Sequence, residues 1–315
     1  MSEKSDRMQA AMATVTAIAA CIETVVRGKH DMVQLAIVPM IAGGHLLLQD
    51  VPGVGKSTLA QALGQSVGAS YSRIQFTSDL LPADILGVNV YEAATGEFRF
   101  RRGPIFANVV MADEINRASP KTQSALLEAM NDRRISIDGV TWELPDPFFV
   151  IATQNPVEYT GTYPLPESEL DRFQLCTGIG YPDIDAERRI LTERPVRQHM
   201  VHLDPVASMQ QVLEAQGAVD SVVAAPAVLD YLLAFVRATR AEPLFEMGVS
   251  PRGAIDLLKA TRAWALIHGR GYVVPDDVKT MAPFVAGHRL VRRDSRRGVS
   301  RADIDRVFEQ IPAPV

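Results

Sequence analysis

The stretch Asp50-Val51-Pro52-Gly53-Val54-Gly55-Lys56-Ser57 limits the possible folds of this chain more than any other segment. It follows the apolar run His45-Leu46-Leu47-Leu48 and opens into a helix-prone stretch, 58–66. A strand, a Gly-rich turn and a helix beginning on Lys-Ser together form a socket for a nucleoside triphosphate. Glycines at 53 and 55 let backbone N–H groups approach phosphate oxygens, and the helix N-terminus adds partial positive charge. Lys56 can reach the β- and γ-phosphates, and the Ser57 hydroxyl can ligate Mg²⁺. The nucleotide-binding candidates here are Pro52, Gly53, Val54, Gly55, Lys56, Ser57 and Thr58. The usual pattern begins with Gly, whereas this chain has Asp50 in that place. The competing explanation is a tight turn that uses Pro and Gly for steric reasons alone.

Around this socket, strand-like and helical runs alternate. Strands are expected over 45–49, 71–75, 108–112, 148–153 and 173–179, with helices over 6–26, 31–41, 58–66 and 121–131. Such alternation argues for an α/β domain, a parallel sheet with helices on both faces. The near-continuous apolar run Asn108-Val109-Val110-Met111-Ala112 suits a central strand buried on both sides. Residues 87–101 break the pattern, because two alternating runs flank Ala93-Ala94-Thr95-Gly96 as in an inserted β-hairpin. Beyond Tyr181-Pro182-Asp183 the pattern is helical, with helices expected over 185–193, 206–216, 227–239, 252–268 and 276–285. The expected division is therefore an α/β core over 1–185 and a helical linker with a smaller all-α domain over 186–315.

The acids Asp113-Glu114 stand where the 108–112 run ends, at the edge where a parallel sheet presents side chains to ligands. One carboxylate there can hold the water shell of Mg²⁺, and the next can polarise the water that attacks the γ-phosphate. Asp113 and Glu114 fit these roles in order; a solvated acidic pair ending a strand is the alternative. The 148–153 run leads into Gln154-Asn155-Pro156, so Asn155 is a candidate to contact that water or the γ-phosphate, or simply to start a turn. Ser250 and Pro251 suit the N-cap and first position of a helix, which puts Arg252 in its first turn. A cation there opposes the helix dipole, so an anion such as a phosphate would compensate; a surface arginine in water is the alternative.

Taken together, these residues resemble the AAA+ ATPases, and more narrowly the MoxR family with its helix-2 insertion. The likeness rests on Leu47–Lys56, on the run from Asp113-Glu114-Ile115-Asn116-Arg117 to Met130, on Ala152-Thr153-Gln154-Asn155-Pro156-Val157-Glu158-Tyr159, and on Gly161-Thr162-Tyr163-Pro164-Leu165-Pro166-Glu167. Leu170-Asp171-Arg172-Phe173, Ser250-Pro251-Arg252 and Val274-Pro275-Asp276-Asp277-Val278 extend it into the helical half. The resemblance implies a P-loop NTPase core, an inserted hairpin and an all-α lid, with ATP and Mg²⁺ as cofactors. It assigns Lys56 and Ser57 to the Walker A element, Asp113 and Glu114 to Walker B, Asn155 to the first sensor and Arg252 to the second. Arg172 corresponds to the arginine finger that reaches a neighbouring subunit's nucleotide, and Gly28 falls where such proteins line the adenine. Metal contacts would come from Ser57 and, through water, Asp113. Family members form homo-oligomeric rings, usually hexamers, act as chaperone-like remodelling ATPases on client proteins, and often work with partners carrying a von Willebrand factor A domain.

Composition removes several other classes. A net charge of −5 over 315 residues gives no basic footprint for nucleic acid. The cluster Arg292-Arg293, Arg296-Arg297, Arg301 lacks interleaved aromatics and is expected to be a solvated face or subunit contact. The two cysteines, Cys21 and Cys176, show no metal or redox spacing, and no apolar stretch reaches the roughly 20 residues of a membrane span, so a cytoplasmic protein is expected. Arg117, Lys121, Arg133 and Arg134 are expected to contact a neighbouring subunit, to act as further trans residues or to be solvated helix-end charges, and Phe98 and Phe100 to lie in a client or pore contact or in hairpin packing. The remaining alternatives are an ATPase subunit of a magnesium-chelatase-like complex and a nucleotide-gated scaffold with little turnover.

Overall fold

A computed structural model describes residues 2–155, 161–182, 184, 187, 188, 192, 203–294 and 298–314. The apolar runs form β1 (Leu46–Gln49), β2 (Tyr71–Gln75), β5 (Val109–Asp113), β8 (Phe149–Gln154) and β9 (Leu175–Thr177), joined in one sheet in the order β2-β5-β8-β1-β9. Every pairing is parallel, as the alternation required. Gln75 lies level with Asp113, and Gln49 level with Gln154, so the C-terminal ends of four strands form one shelf.

Alternate residues of each strand go to opposite faces. Leu46, Leu48, Val109, Met111, Phe149 and Ile151 join a core with α1 (Ser2–Glu23), α2 (His30–Ala42) and α3 (Lys56–Ser66). Leu47, Val110, Ala112, Val150 and Ala152 face α5 (Pro120–Asp132), which also contributes Leu126, Leu127 and Met130. All five residues of β5 are buried, and each large apolar side chain so placed stabilises the fold by about 1.5–3 kcal/mol.

The inserted hairpin pairs β3 (Gly87–Glu92) with β4 (Glu97–Arg102), close to the expected span, after the short α4 (Pro82–Leu86). A second hairpin, absent from the sequence expectations, pairs β6 (Arg134–Ile137) with β7 (Val140–Glu143). Its turn is Asp138-Gly139, both at positive φ (50° and 80°), the backbone that a tight hairpin requires.

After the short α6 (Glu167–Leu170), the helical half comprises α7 (Met209–Ser221), α8 (Pro226–Ala241), α9 (Pro251–Ile267), α10 (Pro275–Ala286) and α11 (Arg301–Glu309). Ser208, Ser250 and Ser300 cap α7, α9 and α11 with their hydroxyls. A small antiparallel pair, β10 (Phe245–Met247) with β11 (Val291–Arg292), adds to this otherwise helical unit. Most of the helix expected over 185–193 and the division at 185/186 lie outside the described residues, as do positions 156–160 and Arg296-Arg297.

Candidate functional site

The phosphate loop leaves β1 at the shelf and turns into α3. Gly53 (φ 86°) and Gly55 (φ 98°) adopt left-handed backbone, and a Cβ on either would meet nothing within 4 Å. The glycines are therefore needed for conformation, and the space beside them is open. Gly55 caps α3 without a side-chain hydrogen bond, so no side chain takes the place that an anion would occupy at this helix N-terminus. Lys56 Nζ donates back to the carbonyls of Asp50 (2.6 Å) and Val51 (3.3 Å), so its ammonium stays over the loop. Asp50 also has a visible role: Oδ1 accepts from Val51 N at 2.8 Å and Oδ2 from Gly180 N at 2.6 Å. It fastens the start of the loop to the segment beyond β9. Lys29 Nζ donates to the Tyr181 carbonyl, which brings the Gly28 turn (φ 70°) to the same side.

Asp113 ends β5 and Glu114 follows it in left-handed backbone (φ 56°). The Thr153 hydroxyl on neighbouring β8 donates to Asp113 Oδ1 at 2.7 Å and accepts from Glu114 N at 2.8 Å. One buried side chain thus orients both acids. Arg73 Nη2 on β2 pairs with Asp113 Oδ2, while Glu114 Oε2 accepts from Gln75 Nε2 (2.9 Å) and Arg117 Nη1 (2.8 Å). Arg117 is half-exposed and, within this chain, pairs with Glu114. Asn155 is 6% exposed at the tip of β8, between the acids and the loop. An open glycine cradle, a helix N-terminus without a side-chain cap, a serine hydroxyl and a carboxylate suit a triphosphate with Mg²⁺, which keeps most of its waters and takes few protein oxygens.

The other expected residues lie at the opposite edge of the sheet. Arg172 is half-buried in the turn that enters β9. Arg252, exposed in the first turn of α9, donates to Asn131 Oδ1 at 2.7 Å. Arg133 donates to the Gly43 carbonyl just before β1 and pairs with Asp146. His45, buried at that same edge, has Arg133 and Arg252 near enough to disfavour its charged form. Burial is the larger cause, and together they push its pKa down to about 4. Val150 N donates to His45 Nδ1, which leaves Nε2 as donor to the Met130 carbonyl. β1 spans roughly 13 Å between these arginines and the phosphate loop. The anion expected to offset the helix dipole at Arg252 is, within this chain, the nearby Asp256 carboxylate.

Sequence reasoning missed Thr153, Arg73 and Gln75. Arg73 and Gln75 alternate along β2, a signal of polar residues on one face, but their target depends on β2 lying beside β5. The hairpin pair divides: Phe100 stacks on Trp142 with ring centroids 4.6 Å apart, whereas Phe98 is 72% exposed against the edge of Tyr91. In the C-terminal basic cluster, Arg292 is matched by Asp294 and Asp303, and Arg301 by Asp305. No helix among the described residues is long and apolar enough to cross a membrane.

Comparison with known proteins follows the same division of the chain. A family model described as "ATPase family associated with various cellular activities (AAA)" matches residues 45–175, and an AAA lid domain model matches 237–309. The uncharacterised YeaC protein of Bacillus subtilis is 50% identical over 86% of this chain and 84% of its own length. Chaperone MoxR1 of Mycobacterium tuberculosis is 40% identical over 86% of this chain and 74% of its own. The crystal structure of a candidate ATPase from Cytophaga hutchinsonii superimposes with a TM-score of 0.90 at 31% identity, covering 100% of this chain and 99% of that one. A magnesium-chelatase 38 kDa subunit of Acidiphilium rubrum is a more distant likeness, 26% identical over 77% of this chain and 68% of its own.

Proposed function

This chain belongs to the MoxR family of AAA+ ATPases, and from that premise we propose that its ATP hydrolysis takes place between subunits of a homo-oligomeric ring that remodels client proteins. In this reading Gly53, Gly55, Lys56 and Thr58 hold the phosphates, with Pro52 and Val54 shaping the loop and Gly28 beside the base. Ser57 and Asp113 would hold Mg²⁺, which would supply charge neutralisation on the phosphates. Glu114 polarises the attacking water and Asn155 orients it. Arg172 and Arg252, joined by Arg133, supply cations to the nucleotide of the next subunit.

One observation carries this reading. The phosphate loop and both acids occupy the C-terminal edge of the sheet, while Arg172 and Arg252 occupy the N-terminal edge of the same sheet. An arginine a strand length away cannot contact its own chain's γ-phosphate. A second copy, docked with its N-terminal edge against the first copy's loop, can supply it. Gln75 and Arg117 both hold Glu114 through Oε2, so the carboxylate can act through its other oxygen.

The ring has a core over 1–185 and a helical part over 186–315 as its two bodies, in the cytoplasm. The exposed hairpin tip, Tyr91 with Phe98, meets the client, and a von Willebrand factor A domain protein is the partner class. Mixing two inactive variants tests the shared site. Arg172→Ala keeps an intact loop, and Glu114→Gln keeps intact arginines, so the mixture should regain turnover that neither variant has alone. A mixture as inactive as its parts would overturn the shared site.

A further inference from the structure

Arg289, at the end of the turn after α10, is 4% exposed and uses its whole guanidinium fork. Nε donates to Asp171 Oδ1 at 2.6 Å, Nη2 to Asp256 Oδ2 and the Asp171 carbonyl, and Nη1 to the carbonyls of Val285 (2.6 Å) and Gln174 (3.2 Å). The neighbouring His288 Nε2 lies 2.9 Å from the Phe173 carbonyl. The backbone on both sides of Arg172 is therefore gripped by two consecutive residues of the helical half.

The same guanidinium supports the turn that carries Arg252. The Ser250 hydroxyl caps that turn by accepting from Gly253 N at 3.0 Å, and it also faces the Asp171 carboxylate at 3.3 Å. Gly253 packs so closely that an added Cβ would stand 3.1 Å from Arg289 Cδ and 2.9 Å from Val249 Cγ1. Asp256, one turn further along α9, receives the other arm of the fork. Arg172 and Arg252 thus sit on two backbone turns that meet at one buried ion cluster.

We propose that Arg289 is a positioning residue for hydrolysis, fixing Arg172 and Arg252 relative to each other so that both are presented together to a neighbouring copy. This rests on the reading that those arginines act between subunits. An ion pair to a buried arginine often adds little stability over well-packed apolar side chains, so the value of this cluster lies in the geometry it fixes here. A guanidinium supplies that geometry as a planar fork, which a lysine cannot reproduce. Since the helical half provides Arg289 while the core provides Arg172, any shift of one body against the other moves the arginine finger.

The test uses the full chain, with ATP turnover measured beside the affinity for a fluorescent ATP analogue. Arg289→Met should lower turnover roughly a hundredfold, the scale set by a misplacement of about 1 Å, with little change in analogue affinity. Adding Glu114→Gln subunits should restore part of the turnover, because an Arg289→Met loop then faces intact arginines. Arg289→Lys should remain impaired and be rescued in the same way. Should Arg289→Met fail to fold, Asp171→Asn removes the same ion pair with little change in volume and carries the same expectation. Unchanged turnover overturns the proposal. So does lost turnover that Glu114→Gln subunits do not rescue while they do rescue Arg172→Ala, since Arg289 would then serve only its own subunit. If they rescue neither variant, the shared site itself fails and the proposal falls with it.

Discussion

At its C-terminal edge the central sheet ends in glycine, backbone N–H groups and two carboxylates; at its N-terminal edge it ends in guanidinium groups and a buried ion cluster. The first edge is open, since a Cβ at Gly53 or Gly55 would meet no atom within 4 Å. The second is packed, since Arg289 and His45 are 4% and 5% exposed. One edge has the shape and donors to receive a triphosphate, and its cations Arg73 and Arg117 are paired with its two acids. The other has cations that this chain gives no phosphate. In the proposed ring, the contrast teaches how the two halves of a hydrolytic site can be encoded at opposite ends of one sheet and joined by assembly.

The strongest way to break this comparison is to remove the finger. Arg172→Ala should lower turnover by about 10³–10⁵, as trans arginines do in related NTPases, with nucleotide binding retained. A loss of binding in equilibrium titrations would instead put Arg172 at its own loop. At the open edge, Glu114→Gln should cost about 10²–10⁴ in turnover, the usual range for a general base, again with nucleotide still bound.

A change of pH separates the edges by stability. His45 is buried and His288 half-buried near the N-terminal edge, and desolvation is the main cause that pushes their pKa values down to about 4 and about 3. Both are held neutral in the fold, while the unfolded chain takes up protons near the ordinary value of about 6.5. Their stabilising effect is therefore full above that value and falls as the pH drops towards the folded-state values. Near pH 5 each should have lost about 2 kcal/mol, read as a shift in urea midpoints between about pH 7.5 and about pH 5. Replacing His45 with Gln should flatten that dependence, and an unchanged slope would mean that the ring titrates freely.

The smallest expected effect sharpens the picture of the open edge. Thr153→Val removes the hydroxyl shared by Asp113 and Glu114 and should cost about 1–3 kcal/mol of stability. Turnover should fall by more than the loss of folded protein explains. A fall matching the loss of fold would reduce Thr153 to packing.

Much of this was legible in the sequence, for identifiable reasons. Strand starts fell within a residue or two of expectation because fully apolar runs such as Val109–Ala112 have few other places to go. The phosphate loop was legible because positive φ at two nearby positions demands glycine. The Asp138-Gly139 hairpin was readable too, as Asp-Gly between alternating runs, and was overlooked beside the stronger signal at 87–101. Arg73, Gln75 and Thr153 were not readable, since their roles require β2 and β8 to flank β5, and strand order is a tertiary property. Arg289 was less visible still. Its partners Asp171 and Asp256 are 118 and 33 residues away, and a helix-end arginine ordinarily reads as solvated charge. For Arg252 the helix-dipole argument asked for an anion, and the Asp256 carboxylate, itself paired with Arg289, lies near it in the same helix.

The central claim is that one chain alone lacks a complete hydrolytic site. It is tested most directly by ATP turnover per subunit over a wide range of protein concentration, with the oligomer followed by sedimentation velocity in the same samples. A site shared between copies predicts turnover per subunit that rises steeply with the assembled fraction and then levels off. Turnover that stays constant down to concentrations where only monomer sediments would contradict it.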